Sequence, residues 1–209
     1  MNPDPTRDDL QFLRAISEEG RHAPLLGGRF LTLWGALISV AYVGEYAILS
    51  GRFGLPPISM LILWVTVMGA GFLGQRLLVP TIRDKPGREA FANKVEKLIW
   101  VAVGMSIAAY AIGTAFATSM AGAPVILFDM ILAVAFGGYG AAHYVMSRIA
   151  RAPWMTYAAL GSFLAAFVVP FLAGQPVLYL FAAVVVILVA VVPGVKLLMA
   201  EPPSLPEDA

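Results

Sequence analysis

The chain has 209 residues, of which 59% are hydrophobic and only 13% are charged, and its formal net charge is +1. A soluble domain of this length carries about a quarter charged residues. The composition therefore indicates a membrane protein and argues against nucleic-acid binding, and the absence of cysteine excludes disulfides and thiolate metal sites.

The N-terminal segment, residues 1–28, is polar and contains one amphipathic helix. Thr6 and Asp9 fit a helix N-cap, Gly20 fits a helix end, and an apolar face lies between them. We interpret this face as a docking surface for a cytosolic partner or as a helix folded back on the membrane domain. Its residues are Leu10, Phe12, Leu13 and Ile16.

Six apolar stretches follow, each long enough for a helix to cross the hydrocarbon core of a bilayer. They predict an all-α, polytopic integral membrane protein whose six transmembrane helices form three tandem helical hairpins. The spans are at about 30–49, 57–79, 98–118, 124–146, 154–172 and 176–199, and residues 200–209 form a Pro-rich acidic tail that we expect to be disordered.

The distribution of basic residues predicts the orientation. With the N-terminus in the cytosol, thirteen of the 14 Lys and Arg residues lie on the cytosolic side, and only Arg52 lies outside. Both termini are then cytosolic. Short loops and abundant Arg and Ala favour the inner membrane of a bacterium.

The three predicted hairpins share features that suggest an internal repeat. Each outer turn has glycine and proline before an apolar run, in GLPPISML, AGAPVILF and AGQPVLYL. The pattern is similar to that of bacterial acid-resistance membrane proteins of the HdeD type, a resemblance that extends only to the hairpin arrangement and implies no site residues. Small residues spaced by four predict close helix packing at Ala70/Gly74, Ala109/Gly113/Ala117 and Ala133/Gly137/Ala141.

Two acidic residues, Glu45 and Asp129, lie inside apolar spans at matching depths near the outer ends. Thr114 and Tyr110 belong to a polar stripe on the third helix, and Thr114 lies near the same depth. Together these four residues form a candidate oxygen-rich site for a proton or a hard cation. The alternative is that the acids reach the headgroups and the hydroxyls bond to their own helices.

A second candidate group lies toward the cytosolic side, where Arg76, His143 and Lys196 fall at similar offsets from the turn prolines. A basic ring is one interpretation; snorkelling for Arg76 and interfacial hydrogen bonding for His143 are the simpler ones. His143 is the only histidine within a span, so a haem ligated by two histidines of one chain is excluded and a zinc site lacks ligands. We predict neither a metal nor a cofactor.

Among the motifs considered, the sequence contains no catalytic signature, so we do not expect an enzyme. The favoured function is a regulatory or accessory membrane subunit that contacts a partner through residues 6–20. The alternative is a small proton- or cation-conducting transporter or channel that uses Glu45 and Asp129. The expected partners are the lipid bilayer and a cytosolic protein, and a homo-oligomer remains open.

Overall fold

The computed structural model describes residues 24–51, 53–56, 58–201 and 203, and this part of the chain is all-helical. Six helical segments are long and apolar enough to cross a membrane, as the sequence predicts. The α-helices are α1 (Gly28–Leu49), α2 (Ile58–Leu78), α3 (Phe91–Ala121), α4 (Met130–Ile149), α5 (Met155–Leu172), α6 (Val177–Val186) and α7 (Val192–Met199).

Short non-α turns extend three of the six spans. A 3₁₀ turn, Val79–Ile82, follows α2, and another, Val125–Phe128, precedes α4. The sixth span consists of α6, a π-helical turn at Ile187–Val191, and α7. This last interruption lies immediately before Pro193, which has no N–H with which to continue an α-helical ladder.

Turn residues set the ends of the spans. Gly122 ends α3 in the left-handed region, with φ of 65°, and Pro124 begins the short connection to α4. Gly174, with φ of 80°, and Pro176 form the corresponding turn between α5 and α6. These turns and the α1–α2 connection define one end of the bundle, called here the glycine–proline end. The opposite end carries Arg29, Lys85, Arg148 and Lys196 and is called the basic end.

The sixth span lies in the middle of the bundle, and half of its residues are buried against 11% in each of the second and third spans. Helix α1 packs against α2 on one side and against α6 and α7 on the other. Helix α4 packs against α3 and α5, and α5 also contacts α6. Helices α2 and α3 are therefore peripheral, and their many exposed leucine, valine and phenylalanine side chains form a surface suited to lipid.

This packing gives no support to a threefold repeat. In the first hairpin the inner helix comes first, since α1 contacts the centre of the bundle and α2 does not. In the second hairpin the order is reversed, because α4 is the inner helix and α3 the outer one. Three equivalent hairpins would place the same member of each pair inside.

Close helix contacts occur at different glycines from those predicted. The prediction is wrong at Gly113 and Gly137, where an added Cβ would meet no atom of the described residues within 4 Å. At Gly194 an added Cβ would lie 2.7 Å from the backbone nitrogen of Thr32, so α7 crosses α1 almost backbone to backbone. Gly74 does contact a neighbour, the Leu33 side chain. Spacing identifies small residues but not the face of the helix that is buried.

Polar contacts join the connections at the basic end. Arg29 at the start of α1 forms an ion pair with Glu201, which also pairs with Lys85 at 3.2 Å. Residues 24–27 are held against the start of α3, where the Leu26 N–H donates to Asn93 at 2.9 Å and the Gly27 N–H donates to Glu96 at 3.1 Å. The chain that enters α1 is thus fixed beside the connection between α2 and α3.

Candidate functional site: two buried carboxylates at the glycine–proline end

Glu45 and Asp129 are both buried near the glycine–proline end, with 9% and 8% of their surface exposed. Glu45 lies in the last turns of α1, and Asp129 lies between the 3₁₀ turn and the first residue of α4. Although 84 positions separate them in the chain, the two carboxylates lie within electrostatic range of each other. They face the interior of the bundle rather than the lipid.

Asp129 is held by donors on both of its oxygens. Its Oδ2 accepts the Gly174 N–H at 2.6 Å, and its Oδ1 accepts a short hydrogen bond from the Tyr179 hydroxyl. Gly174 belongs to the turn between α5 and α6, and Tyr179 lies in the first turn of α6. The carboxylate therefore ties the start of α4 to the start of the sixth span.

Glu45 lies against the same tyrosine. Its carboxylate interacts with the Tyr179 hydroxyl and with the Trp64 indole of α2. Since that hydroxyl donates to Asp129, Tyr179 stands between the two acids. Glu45 thus has fewer firmly placed donors than Asp129.

Aromatic rings close the site toward the middle of the membrane. Tyr42, one turn before Glu45 on α1, lies with its ring centroid 5.6 Å from that of Trp64 and 6.2 Å from that of Tyr179. Tyr42 and Tyr179 are themselves buried. The rings therefore form one apolar wall of the carboxylate pair, on the side toward the middle of the bundle.

Tyr110 and Thr114, the predicted hydroxyl members of this site, lie on the peripheral helix α3. Thr114 is buried and Tyr110 is half-buried, but α3 packs against α4 and not against α1. The hydroxyl that bonds to Asp129 comes instead from Tyr179. Sequence reasoning missed Tyr179, Tyr42 and Trp64; the positions of Tyr42 one turn from Glu45 and of Tyr179 just after a turn proline were the available signals.

The residues of the predicted basic group have three separate environments. Arg76 is exposed on the peripheral helix α2. His143 is fully buried, with Nε2 2.7 Å from the Val189 carbonyl oxygen. The Lys196 ammonium lies over the Trp154 ring, 4.3 Å from its centroid, which is a cation–π contact.

The predicted partner-binding face of Leu10, Phe12, Leu13 and Ile16 lies outside the described residues. In the part of the chain that is described, no three His, Asp or Glu side chains are grouped so as to hold a metal ion. The carboxylate pair is also poorly suited to a cation, because the oxygens of Asp129 already accept hydrogen bonds from an N–H and an O–H. A proton on Glu45, by contrast, would relieve the repulsion between the two acids.

Comparison with known proteins gave no match to a protein family, to a curated protein or to a solved structure. The resemblance to the HdeD type of hairpin protein thus gains no support from these comparisons. The chemistry of the buried side chains is the basis for a functional assignment.

Proposed function

We propose that this protein conducts protons across a membrane and that Glu45 is its principal proton-binding residue. The observation that carries the proposal is the burial of Glu45 beside Asp129, with Tyr179 between them. Ionisable side chains inside a membrane span are costly to insert and commonly mark ion or proton pathways. Two acids on separate helices that converge on one tyrosine suit such a pathway better than they suit lipid packing.

The roles of the two acids differ. Asp129 has the structural role, because its two hydrogen-bond donors hold it in place and it braces the turn between α5 and α6. Glu45 is the carrier, since a proton bound to it relieves the repulsion from the neighbouring carboxylate and can be released when the site opens to water. The aromatic rings of Tyr42 and Trp64 limit access from the middle of the bundle.

The positive-inside rule places this site on the outer side of the membrane, with the basic end and both termini in the cytosol. On this orientation Glu45 takes up protons from outside. A bacterial inner membrane, where a proton gradient is available, is the proposed location.

Proton flux into proteoliposomes tests the proposal. Purified protein is reconstituted with a pH-sensitive dye inside, and a pH difference is imposed with potassium and valinomycin present to balance charge. We expect the wild type to acidify the lumen faster than protein-free liposomes do, and Glu45→Gln to return the rate to the protein-free level. Glu89→Gln is the matched control, because the Glu89 side chain is 76% exposed at the basic end. A wild-type rate equal to that of protein-free liposomes would refute proton conduction.

An accessory membrane subunit is the second candidate function. It is favoured by the attachment of residues 24–27 to Asn93 and Glu96 of α3, which holds the start of α1 at the basic end beside that helix. Deleting residues 1–22 leaves those contacts intact and removes the amphipathic face. If this candidate is correct, the deletion abolishes co-purification of a partner from native membranes, whereas Glu45→Gln does not. A set of co-purifying proteins that the deletion leaves unchanged would contradict it.

A further inference from the structure

His143 donates a hydrogen bond to a backbone carbonyl whose α-helical partner would be a proline. In an α-helix the carbonyl of residue 189 would accept the N–H of residue 193, but residue 193 is proline. The His143 Nε2 atom lies 2.7 Å from the Val189 carbonyl oxygen, within the π-helical turn. Because a carbonyl only accepts hydrogen bonds, Nε2 must carry the hydrogen.

This hydrogen bond fixes the tautomer of His143. In the neutral imidazole with hydrogen on Nε2, the Nδ1 atom is a bare acceptor. Nδ1 is buried and has no hydrogen-bond partner among the described residues, and the whole side chain has no exposed surface. A buried acceptor without a donor destabilises the folded protein, so the hydrogen bond to Val189 alone does not account for a histidine at this position.

Aromatic side chains connect His143 to the carboxylate pair. Tyr42, beside Glu45, lies within electrostatic range of Tyr139 on α4. The Tyr139 ring contacts Trp100 at 5.3 Å between centroids, and Trp100 contacts the His143 imidazole at 5.4 Å. From Asp129 to His143 this series follows fourteen residues of α4, or about 21 Å along the helix. It extends from the glycine–proline end toward the basic end.

We propose that His143 is a second proton-binding site, on the inner side of the pathway, and that its Nδ1 atom accepts the proton released by the Glu45–Asp129 pair. This inference rests on the proposed function. Water carries the proton to Nδ1, the ring becomes an imidazolium, and the same proton leaves Nδ1 for water at the basic end. The hydrogen on Nε2 stays bonded to Nε2 and keeps its hydrogen bond to the Val189 carbonyl throughout, so no other bond changes.

The surroundings of His143 suit brief occupation by a proton. The imidazole is fully buried, and its hydrogen-bond and ring contacts are with uncharged groups. Its neighbours are the Val189 carbonyl from the sixth span, Trp100 from α3, and Tyr139 one turn away on α4. With no anion to hold it, the imidazolium returns its proton readily, as a relay requires.

A pair of substitutions separates the relay from the structural hydrogen bond. The amide of His143→Gln can still donate to the Val189 carbonyl but binds no proton in the working range, whereas His143→Phe loses both properties. We expect His143→Gln to fold with a thermal midpoint near that of the wild type and to lose most of the proton flux. A folded His143→Gln protein with wild-type flux would overturn the relay, even if Glu45→Gln abolishes flux and so upholds the proposed function.

A second measurement does not depend on transport. The chain has only two histidines, His22 and His143, so in a His22→Gln background ring-¹⁵N labelling reports on His143 alone. We expect the Nε2–H tautomer at pH 8 and a reversible shift of the Nδ1 resonance toward the imidazolium position as the pH falls to 4. An Nδ1 resonance that does not change over this range would overturn proton binding at His143, whether or not flux is found. The shift without flux in the wild type would refute conduction while supporting His143 as a proton-binding site.

Discussion

At the scale of single residues, Tyr179 joins the two acids and is also the residue that sequence patterns did not single out. Glu45 and Asp129 were found from the sequence because charge within an apolar span is conspicuous and helical rise gives its depth. Which residues face the two acids depends on how helices that are distant in the chain pack together. The periodicity of a single sequence does not reveal that packing. Thr114 and Tyr110 share the depth of the acids but lie on a peripheral helix.

Tyr179→Phe should destabilise the protein, because it removes the hydroxyl that donates a hydrogen bond to Asp129 and leaves one carboxylate oxygen without its donor. We expect a loss of about 1–2 kcal/mol in the free energy of unfolding, the range for hydrogen bonds within membranes and to charged acceptors. Reversible unfolding in mixed detergent micelles measures it. Tyr157→Phe is the control, since Tyr157 is 79% exposed. Equal stabilities for the two variants would show that the hydroxyl does not hold Asp129.

At the scale of the helices, α1 and α7 cross almost backbone to backbone at Gly28 and Gly194. Helix bounds follow well from apolar length and from turn glycines and prolines, since these effects are local. Contacts between helices are predicted poorly from the sequence. The spacing of small residues does not distinguish Gly28 and Gly194, which lie at a helix contact, from Gly113 and Gly137, which do not. At Gly113 and Gly137 an added Cβ would have no neighbouring atom of the described residues within 4 Å.

Gly194→Ala should force α1 and α7 apart. The added Cβ would lie 2.5 Å from the Thr32 hydroxyl oxygen and 2.7 Å from the Thr32 backbone nitrogen, and backbone cannot yield as a flexible side chain can. Overpacking of this kind costs about 1–3 kcal/mol. Gly137→Ala is the matched control in open space. The thermal midpoints of both variants in one detergent provide the comparison, and a Gly194→Ala midpoint at or above that of Gly137→Ala would contradict the close crossing.

At the scale of the whole molecule, the bundle of six apolar helices contains a series of polar and aromatic side chains that extends from Glu45 toward His143. The number of spans was predicted from the number of sufficiently long apolar stretches, because the thickness of a bilayer fixes the length that each span needs. The repeat pattern did not predict how the helices pack, with α2 and α3 outside and the sixth span in the middle. Its Trp, basic and turn residues recur at any membrane interface and therefore do not indicate which helices are in contact. Only the packed structure brings the two acids together around Tyr179.

Infrared difference spectroscopy is the measurement that most directly tests whether Glu45 holds a proton beside Asp129. Spectra of the reconstituted protein in H₂O and D₂O at neutral pH should contain the deuterium-sensitive carbonyl band of a protonated carboxylic acid. We expect Glu45→Gln to remove that band, while Glu89→Gln leaves it unchanged; Glu96→Gln identifies any part that comes from the other buried glutamate. If the part of the band that does not come from Glu96 persists in Glu45→Gln, or if the wild type has no protonated carboxyl, proton binding by Glu45 is contradicted.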